Sequence, residues 1–151
     1  MNSLKSSCGK SVLTMADVIF EDYTIKVKAA IDETVDAALE EAAGELESQV
    51  KRNSRVDTGK TKNSFRHKVT SSAGLHEAQI GSADENAIWE EFGTGEYALN
   101  NDGRKGGWVY MDAKGKYHFT RGKTPSRAFW KAYTALKEKI IRMIQDSLKG
   151  L

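Results

Sequence analysis

Two short runs invite a phosphate-binding reading. Gly59-Lys60-Thr61 and Gly122-Lys123-Thr124 each resemble the end of a loop whose backbone amides and lysine would cradle a nucleotide's phosphates. Such a loop also needs a leading glycine, and Ser54 and Tyr117 stand at those positions. Neither run follows a parallel strand or opens a long helix, so nucleotide binding is set aside. His67, His76 and His118 fall on separate strand-like segments, and none has the spacing that puts two imidazoles on one metal, so they read as ordinary surface or strand residues. Ser64 and Ser82 lie in no nucleophile-elbow sequence, and Cys8 has no base near it in sequence. Glu90 and Glu91 are neighbours, which on a helix point about 100° apart and form no working carboxylate pair. The residues therefore predict no catalytic group, no cofactor and no metal site.

Nucleic-acid binding is the stronger rival. Between residues 104 and 123, Trp108, Tyr110, Tyr117 and Phe119 interleave with Arg104, Lys105, Lys114, Lys116, Arg121 and Lys123, and aromatics beside cations can stack bases and hold phosphates. The formal net charge is only +2, and a hairpin packing one aromatic face on a core shows the same pattern. Core packing is the preferred reading, and DNA contact is not expected.

These residues need a scaffold, and 151 residues with 39% hydrophobic and 29% charged side chains fit one core. The mean hydropathy is −0.56, and the apolar runs are far shorter than the roughly 18 residues of a membrane span. No membrane partner is expected. The single cysteine, Cys8, can form no internal disulfide, which suits a reducing cytoplasm.

Residues 1–14 mix Ser, Gly and Lys without periodicity and read as a disordered leader before a single domain at 15–151. The change of character at Met15 suggests it as a start. From Tyr23 to about Ser54, Ile31, Val35, Leu39, Ala42, Leu46 and Val50 recur at helical spacing, with Gly44 as a candidate bend. The opposite face holds Asp32, Glu33, Asp36, Glu40, Glu41, Glu45 and Glu47, and solvent is the preferred neighbour for it. Alternation then predicts strands at Phe65 to Val69 and Leu75 to Ser82, joined at Ser71 to Gly74, and a second hairpin from Trp108 to Met111 and Tyr117 to Thr120. Pro125 opens a closing helix at about 126–149, with Phe129, Tyr133, Leu136, Ile140, Ile144 and Leu148 on one side. The fold class is α+β: an antiparallel sheet of two hairpins packed against a long N-terminal helix and a C-terminal helix.

Val56-Asp57-Thr58-Gly59 with Ser64-Phe65, then Ala87-Ile88-Trp89-Glu90-Glu91-Phe92-Gly93-Thr94, then Gly122-Lys123-Thr124-Pro125 with Phe129, resemble the head-tail joining or tail-completion proteins of long-tailed bacteriophages in order and spacing. The aromatic hairpin resembles an insertion that many members carry. Where Thr61 stands the family usually has leucine, and where Ile88 stands an aromatic, both at expected packing positions. The resemblance implies a structural virion or prophage protein of the neck. It would complete the head-proximal end of the tail as a ring of copies, assembled in the host cytoplasm. Its partners would be other copies, the tail tube or tail terminator, and head-completion proteins. No catalytic residue carries over.

The motifs also make sense as architecture. Asp57 is expected to cap the turn at Thr58, Gly59 to permit a tight approach, and Ser64 or Thr58 to satisfy free amides. Phe92 is expected to be a buried anchor beside the Gly93-Thr94 turn, and Glu91 to pair with a basic group on the same or a neighbouring subunit. Charge is segregated along the chain: Asp32 to Glu47 has seven acids and no base, and Arg104 to the end has twelve bases and three acids. A ring needs two complementary surfaces, so Asp36, Glu40 and Glu47 against Lys137, Lys139 and Arg142 form the candidate subunit interface.

Overall fold

A computed structural model describes residues 13–15, 18–20 and 24–151. A short hairpin comes first, β1 (Leu13–Met15) antiparallel to β2 (Val18–Phe20). The last two residues of the expected leader lie in this hairpin, and residues 1–12 lie outside the described residues.

The long helix α1 (Thr24–Asn53) has 30 residues and therefore spans about 45 Å. Its buried positions, Ala38, Ala42, Ala43, Leu46 and Val50, recur at three and four residues and cluster in its second half. Gly44 does not interrupt the helix. A Cβ there would stand 3.7 Å from His67 Cε1, so the glycine gives a neighbouring strand room to approach.

The sequence then turns through Gly59 (φ +79°) into a single-turn helix, α2 (Lys60–Ser64), which feeds β3 (Phe65–Ser72) and β4 (Leu75–Ser82). The two strands pair antiparallel, Phe65 with Ser82 and His67 with Ile80. Ala73 (φ +53°) and Gly74 (φ +82°) make the two-residue turn, whose positive φ angles match the twist of the strands. One face of this hairpin, with Phe65, His67, Val69, His76, Ala78 and Ile80, lies on α1, and Arg66, Lys68 and Gln79 point outward.

Helix α3 (Asn86–Phe92) and a 3₁₀ turn (Gly95–Tyr97) lead to the second hairpin, β5 (Trp108–Met111) and β6 (Tyr117–Thr120). Asp112 Oδ1 accepts the amides of Lys114 and Lys116 at 2.9 Å each and sets its loop. Helix α4 (Ala128–Lys149) closes the chain and packs along α1, on the side left free by the β3-β4 hairpin. Fully buried Ala132 and nearly buried Ala128 let the two helix backbones come close. Leu46, Val50, Phe65 and Ala132 form the centre of the core, with Ile80, Phe129, Leu136 and Ile140 around them. Burying Val50 or Phe65 contributes roughly 1.5–3 kcal/mol relative to leaving it in water.

The architecture is the α+β arrangement read from the sequence, with one refinement. The two hairpins are separate two-stranded sheets, and only β3-β4 lies against α1. The β5-β6 root is held instead by backbone bonds to the preceding turn, Glu96 N–H to Arg121 O and Thr94 N–H to Lys123 O, each 2.9 Å.

Candidate functional site

The sequence motifs, scattered over seventy residues, converge at the start of α4. Three chain segments meet there: the end of α1 with the turn into α2, α3 with the following glycines, and the run from Arg121 to Trp130. Gly93 has φ +75°, and a Cβ on it would stand 2.8 Å from Lys123 O and Pro125 Cδ and 2.9 Å from Tyr97 O, so only glycine fits. Thr94 Oγ1 accepts the Lys123 amide at 2.9 Å, answering the Thr94 N–H to Lys123 O bond.

Glu91 does not pair with a basic side chain. Its carboxylate accepts the backbone amides of Phe129 at 2.8 Å and Trp130 at 2.9 Å, two of the free N–H groups at the first turn of α4. The residue at the helix cap, Arg127, sits in the left-handed region (φ +54°) and supplies no side-chain cap, so an acid from α3 does that work and also faces the positive end of the helix dipole. The neighbouring residue ties the same junction: the Glu90 carbonyl accepts the Ser126 amide at 2.7 Å, and its carboxylate pairs with Lys123. From the end of α1, Arg55 donates to Thr124 O at 2.9 Å and Oγ1 at 3.1 Å, and Asn53 Nδ2 donates to Ala128 O at 3.2 Å.

The other motif residues are also placed by backbone needs. Thr58, not Asp57, supplies the oxygen at the turn, its Oγ1 accepting the Lys60 amide at 3.4 Å, while Asp57 is exposed. Ser64 donates to Thr61 O at 2.6 Å and lies 2.5 Å from Ser82 Oγ, joining α2 to the end of β4. Thr61, where the family pattern has leucine, donates to Asp84 Oδ2 at 2.7 Å and holds that carboxyl below its ordinary range. Phe92 is 46% exposed and is not the buried anchor expected of it, because α3 turns it into a surface groove.

The histidines have a role that sequence spacing did not reveal. His67 Nδ1 meets Glu47 at 2.5 Å and Nε2 meets Glu40 at 3.0 Å, and the Glu47 carboxylate also accepts the His67 backbone amide at 2.9 Å. His76 Nδ1 meets Asp36 at 2.7 Å and Nε2 meets Asp32 at 3.2 Å. Each imidazole thus lies between two carboxylates one helical turn or two apart on α1. Hydrogen bonds to Glu47 and Glu40 raise the His67 pKa, and bonds to Asp36 and Asp32 raise that of His76. Burial pushes Glu47 up, but Lys51 and His67 outweigh it and the net shift is down; the hydrogen bond from His76 lowers Asp36. The acidic face expected to meet solvent therefore clamps the β3-β4 hairpin. It also engages the acidic half of the candidate subunit interface, Asp36, Glu40 and Glu47, inside the chain. On the basic side Lys139 pairs with Glu45, and Lys137 and Arg142 are exposed. His118 bonds Asp112 at 2.9 Å within its own hairpin.

Two apolar surfaces remain. On β5-β6 the pairing puts Val109, Met111, Tyr117 and Phe119 on one face, all 59 to 72% exposed. This overturns the core-packing reading of the hairpin, because no element covers that face among the described residues. On the other face Tyr110 stacks on His118 with centroids 5.5 Å apart, and Arg104 lies 5.9 Å over the Trp108 ring. Between α3 and the start of α4 opens a groove of about 600 Å³, lined by Phe65, Ile88, Phe92, Leu99, Phe129 and Trp130 among others. Among the described residues no three His, Cys, Asp or Glu side chains could hold a metal ion, and no helix is long and apolar enough to cross a membrane.

The polar motif residues are mostly engaged in bonds within the chain, and the apolar surface left uncovered is the kind that meets a partner. Residues 20–93, just under half of the chain, match the family described as "Bacteriophage HK97-gp10, putative tail-component", and over that segment the chain is similar to these phage tail components. This bears out the resemblance read from the sequence. The match runs from β2 to the glycine after α3, so the β5-β6 hairpin and α4 lie beyond it. No curated protein and no solved structure matches the chain.

Proposed function

We propose that this tail component acts at the neck, where copies form a ring that completes the head-proximal end of the tail and joins it to the capsid. It works as a structural part and not as an enzyme. Its neighbours are other copies, the tail tube or terminator, and head-completion proteins, and in the finished virion it resides in the neck. The tail-component family match over residues 20–93 carries this reading. The structure supports it in that most polar groups of the motifs are spent on bonds within the chain, which leaves surfaces as the means of action.

Deletion of the gene from its phage or prophage tests the proposal. Loss of plaque formation with separate filled heads and free tails in the lysate, restored by the gene in trans, is the expected result. Joined, infectious particles without the protein would refute it.

A further inference from the structure

We propose that the β5-β6 hairpin of one copy docks its Val109-Met111-Tyr117-Phe119 face into the groove between α3 and α4 of the next copy, a specification that rests on the ring reading above. The hairpin supplies a narrow two-stranded arm with four contiguous exposed apolar side chains. The groove is open and apolar, with Ile88 and Trp130 each more than half exposed, and no hairpin residue lines it. Arm and groove are therefore two different surfaces of one chain. Such a pair makes a head-to-tail contact, the kind that repeats around a ring.

Charge favours the same partner. The arm carries Lys114 and Lys116, whose side chains have no ion-pair partner among the described residues, while the groove is lined by three acids, Asp84, Glu85 and Glu91, against one base, Arg127; Asp84 pairs with Lys60 and Glu91 caps α4, which leaves Glu85 as the acid exposed to an incoming cation. Opposite charge steers the arm to the groove and keeps arm from arm and groove from groove. A nucleic-acid strand fits the arm less well. Half of the apolar face is Val109 and Met111, which offer no ring for a base to stack on, and the ring of Tyr110 on the other face is already stacked on His118. Four side chains entering a shallow groove stay below the roughly 1,200 Å² of a stable pair. Each contact is thus weak alone and is held when a ring engages every copy on both sides.

The test uses full-length chains with Cys8→Ser and one new cysteine, Tyr117→Cys on the arm or Ile88→Cys in the groove. Docking raises the local thiol concentration, so an oxidised equimolar mixture should form the mixed disulfide about ten-fold faster than either symmetric one. Adding Phe119→Glu to the arm variant should abolish that excess while leaving the circular dichroism unchanged. Mixed and symmetric disulfides in statistical proportion would overturn the proposal. So would an Ile88→Cys thiol shielded from alkylation in isolated monomers, which would assign the groove to the chain's own N-terminal segment. Protection of the Tyr117→Cys thiol by duplex DNA and not by a second copy would assign the arm to nucleic acid and overturn it too. Failure of the neck reading is separate: it shows in the gene-deletion lysate, whatever the disulfide pattern.

Discussion

Glu91 and Phe129, 38 residues apart in the chain, are joined by a 2.8 Å bond from the Phe129 amide to the Glu91 carboxylate. A second oxygen of the same carboxylate takes the Trp130 amide at 2.9 Å, so one side chain of α3 fixes both where α4 begins and how it is oriented. The contribution is that of a helix cap with a favourable dipole interaction. Glu91→Ala should lower the unfolding free energy by about 1–2 kcal/mol, and Glu91→Gln, which keeps an acceptor and loses the charge, by less. Urea denaturation of the three proteins checks the order; equal midpoints would show that the cap is unimportant.

Gly93 and Gly59 both have positive φ, yet the structure separates them. At Gly59 (φ +79°) a Cβ would stand 3.6 Å from Asn63 Nδ2, an ordinary contact, so Gly59→Ala costs only the conformational strain of about 1 kcal/mol. At Gly93 the same Cβ would press on the Lys123 and Tyr97 carbonyls and on Pro125, so Gly93→Ala should cost clearly more than Gly59→Ala. Thermal melts of the pair decide this, and a smaller loss at Gly93 would contradict the close packing of its Cα against those three residues.

The two histidine clamps give stability a definite pH dependence. His67 and His76 have pKa values raised above the ordinary 6.5, so their contribution is complete below that value and is lost as pH rises through the folded-state pKa. Asp36 and Glu47 are lowered from 3.8 and 4.5, so their contribution is present above those values and is lost as pH falls through the lowered ones. Both are intact between about pH 4.5 and 6.5, and stability should fall as the solution is taken from pH 6 to pH 9. Denaturation curves across that range should show the slope in the wild type and a flatter one in His67→Gln/His76→Gln. Identical slopes would show that the clamps contribute nothing to it.

Much of the fold was legible because its signals are local. The bounds of β5 and β6 and of β4 follow from alternation between turn residues, and α1 and α4 from apolar spacing sustained over many turns. The five residues of α2 are too few to show a period. β5 is apolar on both faces, Trp108 and Tyr110 on one and Val109 and Met111 on the other, and the alternation of β6 points Tyr117 and Phe119 as if to a core that no element supplies among the described residues. The site was legible as a set of motifs and not as a set of bonds. Glu91 looked like any surface acid because its partners are backbone amides, which leave no mark in a sequence. His67 and Glu47 are 20 residues apart and His76 and Asp32 are 44 apart, so their meeting depends on the register of the hairpin on α1. Gly44, opposite His67, was the one available sign of a close approach.

The basic row of α4 separates charge from apolar contact as the organising force of assembly. Asp36, Glu40 and Glu47 are engaged by the two histidines within the chain, so they are not free to complement that row in a neighbouring copy. Lys139 already pairs with Glu45, an exposed pair worth about 0–1 kcal/mol, whereas Lys137 and Arg142 are exposed and have no ion-pair partner among the described residues. Reversing only the latter two therefore leaves the internal network intact, and Lys137→Glu/Arg142→Glu should keep its stability within about 0.5 kcal/mol of the wild type. If α4 faces an acidic neighbour in the neck, the same variant should enter tails several-fold less well, and the wild type should lose incorporation as salt approaches 1 M, where the screening length falls to about 3 Å. Wild-type incorporation in both conditions would exclude α4 as a charged interface and leave the apolar arm and groove to hold the copies together.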